Sequence, residues 1–243
     1  MVSWTLLASA VLGGVAAAAF GVVARDVAAR IPRGEAASAA RGFVLWWACL
    51  AAYLVLQGAF QAAAAFGGAD AVAYRLSRLV AIPLLCAGAG GLSHYLLYLL
   101  TGRGRLWLVG GLYAATGVLF LVATFWHGPA DLVVSDWLVE LDYDRPGVQP
   151  MYRAVLVLVG LPPILGSVAL MVLSLRLDDP ERRYRSGMVG LGTFLWVGSG
   201  LAGRLAGGDL AAFLSLVPMG LLSALLVVLA YHPPAAVRRR LEG

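Results

Sequence analysis

Seven long apolar segments occupy almost the whole chain and leave little sequence between them. A helix needs about 20 predominantly apolar residues to cross the hydrocarbon core of a bilayer, and each segment has about that length. We therefore predict an all-α, polytopic membrane protein in which residues 1–243 form a single seven-helix transmembrane bundle. The helices are expected near residues 4–23, 43–66, 74–100, 106–126, 154–175, 187–205 and 210–231.

The amino-acid composition supports a membrane location. Hydrophobic residues make up 61% of the chain and charged residues 13%, whereas soluble domains carry about 25% charged residues. The connections between the apolar segments are short, which excludes a separate catalytic domain within them. All 18 basic residues are arginine, so no lysine is available to form a Schiff base.

The arginines predict the orientation of the chain in the membrane. If the chain crosses seven times, one side receives the following arginines: Arg25, Arg30, Arg33, Arg41, Arg103, Arg105, Arg176, Arg182, Arg183, Arg185, Arg238, Arg239 and Arg240. Positive charge is retained on the cytoplasmic side, which predicts an outside N-terminus and a cytoplasmic C-terminus in the bacterial inner membrane. We expect this charge to contact anionic membrane lipid rather than nucleic acid.

The connection 127–153 is the longest and lies on the predicted outer side. It contains five acidic residues and two arginines. Residues 131–141 are predicted to form a short amphipathic helix at the membrane interface. Long ordered loops in compact proteins are often functional, although a passive cap on the bundle explains the same sequence.

Polar residues concentrate at the outer ends of several predicted helices. Polar groups in a bilayer are costly, and each is therefore a candidate for function. Arginine side chains bind carboxylates and phosphates through two parallel hydrogen bonds, which suits an anionic or amphipathic ligand. The alternative is that the arginines extend to the membrane surface. The predicted ligand-binding residues are Gln57, Gln61, Arg75, Arg78, Trp126, His127 and Arg204.

The sequence lacks the signatures of an enzyme or a metalloprotein. It contains no zinc-protease motif, no phosphate-binding loop and no serine-hydrolase elbow. The three histidines, His94, His127 and His232, fall at different predicted depths, so we expect no haem, metal or other cofactor. Cys49 and Cys86 lie within apolar segments, where cysteine behaves as a small hydrophobic residue.

Short motifs in the third to sixth segments resemble a known family. The third segment ends in YLLTGR (residues 98–103), the fourth ends in TFWH (residues 124–127), and DDPERRYR (residues 178–185) precedes the sixth. This order resembles the N-terminal seven-transmembrane region of bacterial sensor histidine kinases. The resemblance implies a sensor that perceives a ligand at the membrane. Because no kinase segment follows Gly243, it also implies that a separate partner protein carries the signal.

A second set of segments is similar to microbial rhodopsins. The similarity involves YRLSRLVAIPLL (residues 74–85) and FLSLVPMGLLSALLVVL (residues 213–229). In that alignment Leu221 replaces the retinal-binding lysine and Ser77 replaces the counter-ion acid. The resemblance therefore implies a rhodopsin-like protein that is unable to bind retinal covalently, with non-covalent pigment binding still open.

These observations favour a non-enzymatic sensor or receptor-like module. It would bind a small amphipathic or anionic ligand in the outer half of the bundle and signal through a protein partner at loops 24–42 and 176–186. The first alternative is a structural or accessory subunit of a larger membrane complex. A membrane enzyme or transporter is least favoured, because acidic and nucleophilic groups are missing from the apolar segments.

Overall fold

A computed structural model describes residues 2–31, 36–103, 106–125, 132–141, 149–206, 214 and 218–242. These residues form helices joined by short connections, together with one two-stranded antiparallel hairpin. The helices are α1 (Trp4–Ala28), α2 (Ala36–Ala65), α3 (Ala71–Thr101), α4 (Leu106–Phe125), α5 (Gln149–Ser174), α6 (Pro180–Ala206), α7 (Pro218–Tyr231) and α8 (Ala235–Glu242). The strands are β1 (Leu132–Val134) and β2 (Val139–Leu141). The prediction of an all-α chain is confirmed.

Several helices are long and apolar enough to cross a membrane, as expected of a multi-pass membrane protein. Within the described residues, α1 to α5 meet this condition, and α7 with α8 gives a sixth candidate span that is bent by 50°. Helix α6 has sufficient length but is less apolar, because its first turns carry Glu181 and three arginines and its remainder is rich in glycine. The predicted count of seven crossings therefore remains a prediction.

The helices extend beyond the apolar segments at their charged ends. Helix α1 continues to Ala28 and α2 begins at Ala36, so much of the predicted loop 24–42 is helical. Helix α6 begins at Pro180, where the Asp179 carboxylate accepts hydrogen bonds from the first free backbone N–H groups. Capping of this kind allows a helix to start before its apolar part. The loops predicted to contact a partner are therefore shorter than expected.

The hairpin corrects the prediction of an amphipathic helix at residues 131–141. Three residue pairs align the strands, with Val134 opposite Val139 at the turn. Ser135 stabilises the turn, because its Oγ accepts a hydrogen bond from the backbone N–H of Leu138 at 3.1 Å. Val139 and Leu141 are buried and the intervening Glu140 is half-buried. This alternation, together with the β-branched valines, favours a strand over a helix.

Helix α3 lies at the centre of the bundle and contacts α2, α4 and α5. Its closest approach to α2 is at Gly42 and Gly91, where a Cβ atom on Gly42 would lie 2.6 Å from the Gly91 carbonyl oxygen. Only glycine permits this separation of the two backbones, and small residues serve the same purpose in other membrane helices. An aromatic cluster joins α1, α2 and α6, with Trp46 and Trp196 packed edge to face at 5.4 Å.

The two ends of the bundle differ in charge and structure. We call the end that carries residues 132–141 the hairpin end, and the end where α1 and α7 finish the arginine-rich end. At the hairpin end, the backbone N–H of Ser3 donates to the Ala65 carbonyl, which joins the start of α1 to the end of α2. Asp70 caps α3 at the same end, with its carboxylate accepting from Val72 and Ala73.

Candidate functional site

A cavity of about 170 Å³ lies inside the bundle near the hairpin end. Its walls come from α2, α3, α4, α5 and α6, and strand β2 covers one side. An engineered cavity of about 150 Å³ in another protein admits benzene, so the volume suits one aromatic ring with a small substituent. The rings that line the cavity are Trp46, Tyr53, Tyr74, Phe120, Tyr152 and Trp196.

Arg78 brings a positive charge to the wall of this cavity. Arg78 is only 8% exposed. A buried charge destabilises the folded protein unless neighbouring groups compensate it. Arg78 Nη2 donates a hydrogen bond to Gln57 Oε1 at 2.9 Å. The guanidinium also lies 4.2 Å from the centroid of the Tyr74 ring, within the range of a cation–π interaction. These two neighbours hold the guanidinium at the cavity.

The same residues attach the hairpin to the bundle. Tyr74 Oη donates to the Val139 carbonyl oxygen at 2.6 Å, and Gln57 Nε2 donates to the same oxygen at 2.8 Å. Gln57 therefore uses its amide nitrogen for the hairpin and its amide oxygen for Arg78. The residue Glu140, next to Val139, also lines the cavity. A displacement of Arg78 at the cavity wall can therefore be transmitted to the hairpin through the side-chain amide of Gln57.

The structure separates the remaining predicted site residues from this cavity or leaves them undescribed. Arg75 Nη2 donates to the Phe125 carbonyl oxygen at 3.1 Å, and its guanidinium lies over the Phe125 ring. Gln61 is buried one turn from Gln57 but is not among the residues that line the cavity. Trp126 and His127 lie outside the described residues. Arg204 belongs to α6, and its side chain also lies outside the description.

Sequence reasoning did not select several residues that form the cavity. Trp46, Tyr53 and Trp196 line it from the middle of their helices, where a single sequence offers no signal to separate a cavity wall from a packed core. Glu140 and Tyr152 fall within the long connection 127–153, and Glu140 is flanked by the apolar residues Val139 and Leu141.

The arginine-rich end contains a second cluster, centred on Tyr231 at the end of α7. The guanidinium groups of Arg30 and Arg185 each lie 5.5 Å from the centroid of the Tyr231 ring. Beside it, His232 Nε2 lies 2.8 Å from Asp26 Oδ2. This cluster ties together the ends of α1, α6 and α7, and α6 also contributes to the cavity at the hairpin end.

The described residues contain no group of three or more histidine, cysteine, aspartate or glutamate side chains that is arranged for a metal ion. Cys49 and Cys86 are buried free thiols on α2 and α3. Comparison of the chain with protein-family models, with curated proteins and with solved structures found no match.

Proposed function

We propose that this chain is a non-enzymatic seven-helix membrane sensor or receptor-like module. It binds a small aromatic or amphipathic molecule with an anionic group in the cavity at the hairpin end, and it signals through a separate protein. The observation that carries the proposal is the combination of six aromatic rings with one buried guanidinium around a space the size of a single ring.

The chemistry of the cavity wall selects the ligand class. Aromatic side chains stack on a flat apolar ring, edge to face or offset. A guanidinium with several N–H donors recognises a carboxylate, and a low-dielectric environment strengthens this attraction. Gln57 and Tyr74 contact the Arg78 guanidinium at the cavity wall. An aromatic carboxylate would place its ring among the tryptophan and tyrosine rings and its carboxylate at Arg78.

Helix α6 provides the route from the cavity to the opposite end. Trp196 lines the cavity and packs against Trp46 and Phe20. Eleven residues earlier on the same helix, Arg185 lies over the Tyr231 ring. Helices commonly transmit signals by shifts of about 1–2 Å relative to their neighbours. A ligand that displaces Trp196 would move α6 and alter the cluster around Tyr231.

The arrangement of charge supports an outside N-terminus and a cytoplasmic C-terminus in the inner membrane. Most of the described arginines lie toward the end where α1 and α7 finish, as retention of positive charge in the cytoplasm requires. The exceptions, toward the hairpin end, are Arg75, Arg78, Arg153 and Arg204. A partner protein would then contact the exposed arginines around Asp179 and along α8. The hairpin end would face the compartment from which the ligand comes.

Calorimetry with benzoate tests this proposal. The full chain in lipid nanodiscs should bind benzoate more tightly than benzyl alcohol, which has the same ring without the charge. Gly200 lines the cavity and a Cβ there meets no atom within 4 Å, so Gly200→Leu should fill the space and abolish binding. Gly198→Leu is the matched control, because Gly198 lies on the same helix and does not line the cavity.

Two charge variants complete the test. Arg78→Met should weaken benzoate binding at least tenfold while leaving benzyl alcohol unaffected. Arg75→Met should leave both unchanged, since Arg75 contacts Phe125 instead of the cavity. Equal benzoate binding by the wild type and by Gly200→Leu would contradict the proposed site.

A structural or accessory subunit is the second candidate function. It is favoured by the hydrogen bonds among Arg78, Gln57, Tyr74 and Val139, which already compensate the buried charge without a ligand. Such a subunit would co-purify with other chains at a fixed ratio. It would also bind no small aromatic molecule in the cavity.

A further inference from the structure

A second and larger cavity lies in the other half of the bundle, between α2, α3 and α4. It is a groove of about 760 Å³ whose walls are almost entirely apolar. Its floor is one stripe of α3 at helical spacing: Pro83, Cys86, Ala87, Gly90, Gly91 and His94. Between residues 83 and 94 the stripe extends about 16 Å at a rise of about 1.5 Å per residue.

Glycine creates the space in this groove. Helices α2 and α4 pack on α3 from two sides and make little direct contact with each other within the described residues. The Gly42–Gly91 crossing holds α2 close to α3, and Gly110 on α4 lines the groove where a Cβ would meet nothing within 4 Å. The Tyr113 ring lies against Gly90 on α3, so the open space of the groove lies at Gly110 on α4.

His94 is a buried polar residue on the floor of the groove. The residue is 1% exposed, and neither nitrogen of its imidazole has a hydrogen-bond partner among the described residues. The hydroxyl groups of Ser93, the preceding residue, and of Tyr113, on the groove wall, bond to each other at 2.7 Å. Buried polar groups are nearly always paired, so an unpaired imidazole that lines a large groove points to a molecule that pairs with it.

The groove is reached from the lipid side of the bundle. Leu45 and Val118 stand at its two walls and are 44% and 60% exposed, respectively. In a membrane these side chains contact acyl chains, so the ligand arrives dissolved in the bilayer. Arg41 lies at the mouth nearest the arginine-rich end and is exposed.

We propose that this groove binds a membrane-soluble ring compound of the prenylquinone type. A ring carbonyl accepts a hydrogen bond from the N–H of His94, and the flat ring lies along α4 at the open position Gly110. The apolar tail follows the stripe past Cys86 towards Pro83 and leaves between Leu45 and Val118 into the lipid. The volume lies within the range of about 300–1,000 Å³ that is usual for small-molecule sites.

Hydrogen bonding fits His94 better than metal or haem ligation does. A histidine that ligates a metal nearly always donates its second ring N–H to a carboxylate, carbonyl or water that fixes its orientation. No such protein partner is present for His94 among the described residues. Haem co-purifying with the protein is therefore an outcome that would overturn the proposal.

Histidine NMR tests the groove directly, because the chain contains three histidines and gives a simple spectrum. The full chain is labelled with ¹⁵N-histidine, placed in lipid nanodiscs and titrated with decylubiquinone. The His94 resonances are assigned by their loss in His94→Leu. We expect the probe to shift the His94 resonances and leave those of His232 unchanged, while dodecane produces no shift.

Two neighbouring glycines provide the matched variants. Gly110→Leu projects a side chain into the groove and should reduce the affinity for decylubiquinone at least tenfold. Gly111→Leu adds the same bulk in open space outside the groove and should bind as the wild type does. Absence of a His94 shift at saturating probe, equal affinity in both leucine variants, or a haem absorbance band lost in His94→Leu would each overturn the proposal.

This groove is independent of the cavity proposed above for benzoate. Gly200→Leu should leave decylubiquinone binding unchanged, and Gly110→Leu should leave benzoate binding unchanged. Each variant therefore tests one site, and the failure of one proposal leaves the other to be judged by its own variant.

Discussion

Arg78 on α3 donates a hydrogen bond to Gln57 on α2, and the amide of Gln57 in turn donates to the Val139 carbonyl oxygen of the hairpin. One side-chain amide thus joins a buried charge, two helices and the strand that covers the cavity. A charge in this position is retained at a cost in stability. We propose that the charge is retained because it recognises an anionic group in the cavity.

Replacing Gln57 should destabilise the bundle. Gln57→Leu removes the acceptor for Arg78 and one of the two donors to Val139, and a hydrogen bond to a charged group contributes about 1.5–3 kcal/mol. We expect the free energy of unfolding to fall by about 2–3 kcal/mol, measured by denaturation followed by circular dichroism. Gln61→Leu is the control, because Gln61 is buried one turn away on the same helix and does not contact Arg78 or Val139 by a described hydrogen bond. Equal losses in the two variants would contradict the role of Gln57.

Removing one hydroxyl should loosen the hairpin. Tyr74→Phe deletes the donor to Val139 and retains the ring beneath Arg78. A neutral hydrogen bond contributes about 1 kcal/mol, which corresponds to amide hydrogen exchange about fivefold faster in residues 132–141. Tyr53→Phe should leave this exchange unchanged, since Tyr53 lines the cavity without contacting the hairpin by a described hydrogen bond. Unaltered exchange in Tyr74→Phe would show that other contacts attach the hairpin.

The crossing of α2 and α3 should not tolerate a methyl group. In Gly42→Ala the new Cβ would lie 2.6 Å from the Gly91 carbonyl oxygen, and overpacking of this kind costs about 1–3 kcal/mol. Gly14→Ala on α1 meets no atom within 4 Å and should be neutral or stabilising by up to about 1 kcal/mol. Thermal unfolding of the two variants in the same lipid measures the difference. A Gly42→Ala protein as stable as Gly14→Ala would be inconsistent with the described crossing.

The cluster at the arginine-rich end should couple α6 to α7. A double-mutant cycle between Arg185→Met and Tyr231→Leu should give a coupling energy of about 0.5–1 kcal/mol, as expected for a partly exposed cation–π pair. Arg183 is the control, because its guanidinium donates to the Leu177 carbonyl oxygen instead of contacting the ring. A coupling of zero for Arg185 would remove this contact from the proposed signalling route.

The lengths of the apolar segments predict which parts of this chain are helical. They predict poorly where each helix ends. The described residues of the seven apolar segments are helical except Phe66 and Leu175 at two segment ends, because backbone groups in lipid must be satisfied within the helix. The ends differ because charged residues continue a helix beyond the membrane, as Arg25 does in α1 and Arg41 in α2. Hydropathy identifies the residues that can contact the bilayer. It does not indicate where a helix ends in water.

Only two polar residues of the candidate site, Gln57 and Arg78, were predicted from the sequence. Gln57 and Arg78 were selected because polar groups are rare in apolar segments, and the structure brings them into contact. Arg75 was selected for the same reason, although it faces α4 one turn away from the cavity. The difference depends on how α3 packs against α2, α4 and α5, and these contacts join residues that are distant in sequence.

Native mass spectrometry tests the central claim most directly. The wild type, Gly200→Leu and Gly198→Leu are released gently from their own membranes and compared side by side. The account predicts that the wild type and Gly198→Leu carry one small molecule per chain in the cavity and that Gly200→Leu lacks it, while a ligand in the groove at His94 remains in all three. A wild-type protein found only as a stable complex with other subunits, with no small molecule that Gly200→Leu displaces, would contradict the sensor proposal and support the accessory subunit.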